Sequence, residues 1–228
     1  MKLSLGLWIA GALLAADVPA IKSMYSARDL PLTASPDAPH WRNVEPVVIE
    51  SDFAGKRLSG HRTEARSRWT DKHLLLLYVS QYRTLFVKPQ PVTNAETSRL
   101  WNWDVAEAFI GSDFENIKKY KEFQVSPQGE WVDLDIDRNS GAKQIGEAWN
   151  SGFEVMARID PATNFWYGEM KIPFAAIDAR KPAAGNELRI GLYRIEGPAP
   201  NRVHVSWRAT DGKTFHMPEQ FGILKLVK

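Results

Sequence analysis

The sequence predicts an all-β fold, a two-sheet β-sandwich of about 10–11 strands. Three observations carry that prediction. Short runs rich in aliphatic, β-branched and aromatic residues recur about every 8 to 12 residues. Turn formers separate them, among them 15 Gly and 14 Pro in 228 residues. Almost no stretch reads as helix once the N-terminus is passed, and Pro173 to Ile177 is at most one helical turn.

The N-terminus stands apart. Met1 and Lys2 precede Leu3 to Ala16, a run without charge. About 14 apolar residues are too few to span a bilayer, which takes roughly 20, but they suit the core of a secretory leader. Small residues follow at Ala15, Ala16, Val18 and Ala20, so cleavage is expected near Ala16 or Ala20, with export to the periplasm or the medium. The competing reading is an N-terminal extension with the true start at Met24, which would leave the protein in the cytoplasm. The expected organisation is a leader over 1–20, a lead-in over 21–35 and a single domain over 36–228. Trp8 lies in the leader, so eight of the nine tryptophans fall after it.

The strands follow in order. Pro46 to Glu50 is a short β-branched run. Thr63 to Trp69 alternates, with Arg66 and Arg68 on one parity, and Thr70 to His73 is a turn. Leu74 to Ser80 is continuously apolar, which reads as a buried second hairpin strand. Gln81 to Leu100 is a long polar stretch holding Pro89 and Pro91, and loops of that length are often functional. Val105 to Ile110, Lys121 to Val125 and Trp131 to Asp137 come next, the last two joined by a Ser126 to Gly129 turn. Phe153 to Ile159 and Trp166 to Ile172 form another hairpin. Leu188 to Ile195, Arg202 to Ser206 and Ile223 to Val227 complete the set.

Composition excludes several functions. Lys plus Arg is 29 against 27 Asp plus Glu, a net charge of +2, which offers no broad field for nucleic acid or an anionic membrane. With no cysteine there is no disulfide framework, thiolate metal site or thiol nucleophile. No G-x-S-x-G, H-E-x-x-H or phosphate loop occurs, and the five histidines lack metal-ligand spacing. Asp133, Asp135 and Asp137 alternate with Leu134 and Ile136. They tempt a calcium-loop assignment, but Arg138 stands where that loop needs Gly. A solvated strand face, with basic residues on a neighbouring strand, is expected instead.

The binding candidates gather where the long loop enters a strand. Trp101 and Trp103 share a parity if the chain is extended, and loops held on a rigid sheet are where binding residues collect. Phe215 and His216 sit beyond a polar turn near the C-terminus, either in the core or facing Trp101 across a cleft.

Six segments in order resemble the family-9 carbohydrate-binding modules and their DOMON-like sandwich relatives, over roughly Leu32 to Lys228. They are Leu32 to Trp41 (LTASPDAPHW), Trp69 to Val79 (WTDKHLLLLYV), Trp101 to Gly111 (WNWDVAEAFIG), Tyr120 to Glu130, Trp166 to Phe174 and Ser206 to Gly222. The W-x-x-D-x-x-E-x-F-I stretch is the most recognisable. The resemblance implies a sandwich of about eleven strands that holds a sugar between two aromatic rings. By position it makes Trp101 the first ring, Glu107 a hydroxyl acceptor, Gln124 a polar contact and Phe215 the second ring, while Trp103 is a binding candidate on the loop argument alone. Phe215 replaces a Trp, and Gln124 stands at a position that can carry a basic residue. The resemblance also implies structural Ca2+, with no ligand set assigned, and a partner that is an oligo- or polysaccharide, served by a separate glycoside hydrolase. Two other functions stay open: a glycoside hydrolase whose acids meet only in space, and a scaffold that has lost sugar binding and serves in protein interactions or holds haem.

Overall fold

A computed structural model describes residues 18–139, 148–212 and 214–228. The expected leader lies outside the described residues except for Val18 to Ala20. The regular structure of the described chain is almost entirely strand: β1 (Ala20–Tyr25), β2 (Val47–Ile49), β3 (Thr63–Trp69), β4 (His73–Gln81), β5 (Val105–Gly111), β6 (Lys119–Val125), β7 (Trp131–Asp137), β8 (Glu154–Asp160), β9 (Phe165–Pro173), β10 (Glu187–Glu196), β11 (Val203–Ser206) and β12 (Gly222–Val227). One helical turn, α1 (Phe174–Ile177), follows β9.

The turns form where the side chains demand them. Between β3 and β4 the Thr70 hydroxyl accepts from the Lys72 and His73 amides at 3.2 and 3.0 Å. Between β6 and β7, Gly129 takes a φ of 86°, a left-handed value that costs a residue without Cβ nothing. Neighbouring strands make one hydrogen-bonded path, β7-β6-β5-β10-β12-β1-β3-β4-β9-β8, with β11 added to β10 and β2 to β3. The path folds over, and its halves share the main core. Ala106, Ala108, Ile110, Phe123, Leu188, Ile190 and Leu192 come from one half. Leu74, Leu76, Tyr78, Trp166 and Met170 come from the other. The predicted β-sandwich is therefore the observed one.

Two outer faces carry their own cores. Leu75 and Leu77 of β4 point away from the main core and pack against Leu30, Trp41 and Val44. That cover is why Leu74 to Ser80 is apolar on both parities rather than alternating. On the opposite half, Val105, Phe109, Tyr120, Val132, Leu134, Tyr193 and Ile195 pack beneath Leu100, Phe215 and Phe221.

The structure departs from the sequence reading in two places. The lead-in is part of the fold. β1 runs parallel between β12 and β3 and links the two halves of the path. Cleavage after Ala16 or Ala20 would leave residues 21–25 in place, whereas a start at Met24 would remove most of the strand. Periodicity missed it because AIKSMY is short and mixed in polarity. The three aspartates also do not share a solvated face. Asp133 is buried, and Ser151 donates to its Oδ2 through both its amide, at 2.8 Å, and its hydroxyl. Burial raises the Asp133 carboxyl above its ordinary range. Asp135 and Asp137 do meet Lys121 and Lys119 of β6, at 2.6 and 3.5 Å.

Candidate functional site

The centre of the outer face on β5 and β6 is polar. Glu107 lies in register with Gln124 on one side and Tyr193 on the other. Gln124 Nε2 donates to Glu107 Oε1 at 2.8 Å and to Glu122 Oε1 at 2.6 Å. One amide nitrogen thus ties two carboxyls together. Glu107 is 2% exposed and Glu122 3%. Burial pushes the Glu107 carboxyl well above its usual range, helped by Glu122 beside it. Burial pushes Glu122 up to about 8, opposed by the Gln124 bond. Glu107 Oε2, Glu122 Oε2 and Gln124 Oε1 are buried with no hydrogen-bond partner among the described residues. A buried polar atom left unpaired costs about 1–3 kcal/mol, so three together mark a place that a polar ligand or water would complete.

The loop entering β5 is held on several sides. Leu100–Asn102 is a single 3-10 turn behind a left-handed Arg99, so the alternation assumed for Trp101 and Trp103 does not apply. Trp103 stacks on Phe86 of the preceding loop at 4.7 Å between centroids. Asp104 accepts from the Phe86 amide at 3.0 Å and from the Gly197 amide at 2.7 Å. Arg202 donates to the Trp101 carbonyl at 2.5 Å, the Gly197 carbonyl at 3.1 Å and the Asn102 carbonyl. The guanidinium also exerts a favourable field on Glu107. Two loops and the strand carrying Glu107 are thereby locked together, with the Trp101 ring half-buried against the outer core.

Phe215 is placed differently from its expected role. It is 5% exposed and stacks on Tyr193 at 4.2 Å, with Phe53 edge-on at 5.2 Å. It roofs the polar centre through Tyr193 rather than presenting an open ring. Its neighbour His216 stacks on Phe109 and bonds the Tyr120 hydroxyl at 2.7 Å; burial lowers its imidazole to about 4.

The structure thus joins Glu107 directly to Gln124 and sets Trp101, Trp103 and Phe215 around the same outer core. Sequence reasoning missed Glu122 and Arg202. Glu122 had a signal: with Gln124 and Tyr120 it shares a parity of β6, facing the charge that interrupts the otherwise apolar VAEAFIG. Arg202 had none, because its partners are backbone carbonyls, two of them about 100 residues away. Among the described residues no group of three or more His, Cys, Asp or Glu could hold a metal ion.

Comparison with known proteins agrees with this architecture. The family described as carbohydrate family 9 binding domain-like matches residues 36–228, and the chain belongs to that family. A family-9 module from Caldicellulosiruptor kristjanssonii, solved with cellotriose, superposes with a TM-score of 0.64 at 17% identity, covering 92% of this chain and 94% of its own. A module from the same organism solved with glucose gives 0.62 at 17% identity, over 91% and 95%. A Bacteroides uniformis protein gives 0.70 at 16% identity, over 92% and 100%. These likenesses establish the fold. An extracellular protein of Arthroderma benhamiae is 23% identical over 134 residues, which are 54% of this chain and 60% of that relative's length. The chain thus spans about 60% of the curated relative it matches.

Proposed function

We propose that this protein is an exported, non-catalytic carbohydrate-binding module that holds a saccharide at the Trp101 loop and supports polysaccharide breakdown by a separate glycoside hydrolase. The observation that carries the reading is the half-buried Trp101, its backbone carbonyl held by Arg202, on the outer face that also carries a buried Glu107–Gln124–Glu122 group with three oxygens unpartnered among the described residues. A pyranose has an apolar C–H face that packs on an aromatic ring and a rim of hydroxyls that need acceptors. Family membership and the sugars bound by the Caldicellulosiruptor modules support the same reading. Export is supported by the uncharged N-terminal run and by the extracellular relative.

Binding fits the geometry better than hydrolysis does. Glycosidases set two carboxyls across a gap that admits the scissile bond. Here Glu107 and Glu122 are on one sheet face, bound to the same amide nitrogen, so the Gln124 amide rather than an open cleft stands between them.

The test is calorimetric titration of the purified protein with gluco-, xylo- and manno-oligosaccharides, repeated with Trp101→Ala. Saccharide binding that disappears in the variant is expected. Binding that survives Trp101→Ala places the site elsewhere. No binding to any sugar by the folded protein refutes the module reading.

A further inference from the structure

Glu107 and Glu122 divide a single neutral donor, the Gln124 amide. Every other buried carboxyl among the described residues has at least two partners of its own. Asp104 takes the Phe86 and Gly197 amides. Asp133 takes the Ser151 amide and hydroxyl. Glu130 takes the Ser126 hydroxyl at 3.1 Å, with the Lys88 ammonium at 3.7 Å. Glu169 takes donors from Thr33, Ala34 and Trp41. Glu196 meets the Arg194 guanidinium and the His61 ring.

The surroundings of the pair do not make up the difference. Glu107, Gln124 and Glu122 share the outer face with the apolar Val105, Phe109, Val132 and Leu134. Two phenols also face it, Tyr193 in register with Glu107 and Tyr120 two residues before Glu122. Burial pushes both above the ordinary phenol range, so they are neutral. Arg138 acts on Tyr120 and His216, and Arg208 on Tyr193. Arg202 exerts a field on Glu107, but its N–H groups are used on three backbone carbonyls. Neither carboxyl of the pair forms an ion pair with a described residue.

Three oxygens of this group stay open: Glu107 Oε2, Glu122 Oε2 and Gln124 Oε1. A sugar hydroxyl brings one donor to such a set, while an ammonium brings three donors and a positive charge. Buried carboxylates are costly unless a cation is paired with them. We propose that the saccharide bound on this face is an amino sugar with a free amine, whose ammonium donates to Glu107, Glu122 and Gln124. The proposal rests on the proposed function and narrows its substrate class. In the free protein the pair keeps its protons, because burial pushes both carboxyls up. An entering ammonium replaces a carboxyl proton, which leaves to the buffer, and the amine keeps its own protons.

The experiment is calorimetry of the full chain at about pH 6.5, below the range of aliphatic amines of this kind. The probes are glucosamine and its β-linked dimer and trimer. Glucose oligomers and the N-acetylated forms of the same lengths are the neutral counterparts. Each titration is repeated in two buffers of different ionisation heat, which reads proton release. The amine form is expected to bind about tenfold or more tighter than either neutral form, with about one proton released per ammonium bound. Glu122→Gln and Glu107→Gln, each verified as folded by thermal melting, should remove most of that preference and most of the proton release. Neutral sugars that bind as tightly as the amine overturn the ammonium but leave the saccharide site standing. So does a preference that survives whole in both folded variants, since the charge is then read elsewhere on the molecule. A wild type that binds no saccharide, amine or neutral, overturns both.

Discussion

Each outer face of the sandwich buries glutamate, and the two faces treat it in opposite ways. On the β9 side, Glu169 is fully buried and accepts from the Thr33 and Ala34 amides at 2.7 Å, the Trp41 indole at 3.0 Å and the Thr33 hydroxyl at 3.2 Å. Both carboxylate oxygens are used within the protein. On the β5–β6 side, Glu107 and Glu122 share one amide donor, and each keeps an oxygen without a partner among the described residues. A saturated buried carboxylate is a fastener. An unsaturated pair stores an unmet demand for hydrogen-bond partners, which a saccharide's hydroxyls, donors and acceptors at once, supply.

The largest expected effect tests the fastener. Glu169→Ala strands several buried donors and frees the segment that covers Leu75 and Leu77, so it should cost about 3–5 kcal/mol of stability. Denaturant unfolding measures it. Saccharide affinity per folded molecule should stay unchanged, and a parallel loss of affinity would erase the distinction between the faces.

Trp101→Ala makes the reverse prediction. Saccharide affinity should fall by on the order of 2 kcal/mol or more, as for an aromatic anchor at an interface, while stability shifts by less. Calorimetry and melting on the same sample give both numbers.

Glu122 sharpens the contrast through pH. Its folded carboxyl titrates near 8 because burial opposes the charge, above the ordinary carboxyl range. The unfolded chain therefore loses this proton first as pH rises. Stability from this group is complete below the ordinary carboxyl range and is lost as pH climbs from there through about 8. Glu122→Gln should remove that slope and raise stability at pH 8 by about 1–2 kcal/mol. Melting temperature against pH checks it, and an unaltered slope would show that another group titrates.

The smallest effect lies away from both faces' glutamates. Lys121→Ala breaks a partly exposed pair with Asp135 and a contact over the Trp149 ring, and should cost about 0.5 kcal/mol. A loss several times larger in denaturant unfolding would mean that the 148–153 cover depends on it.

Much of the fold was legible because periodicity and turn chemistry are local. The alternation of Thr63 to Trp69, the Thr70 turn and the hairpin ending in Trp166 to Ile172 appear where the sequence placed them. β1 escaped because its stability comes from parallel partners about 40 and 200 residues away, which leave no local pattern. The same limit governs the site. Glu107 and Gln124 could be named through the family pattern, but not their shared hydrogen bond or the part of Glu122 in it. Phe215 kept its aromatic character and its neighbourhood, yet tertiary packing turned it onto Tyr193 as a roof.

Every strand but β1, the all-β class, the family and the choice of Trp101 to Gly111 as the place to look could be read from the chain alone. Those properties follow from side-chain alternation, turn residues and the order of motifs along one chain. Which buried carboxylates are saturated and which are not emerged with the folded arrangement. That depends on donors arriving from distant segments, such as the Thr33 and Ala34 amides at Glu169. It depends equally on their absence, among the described residues, around Glu107 and Glu122, which no local spacing records.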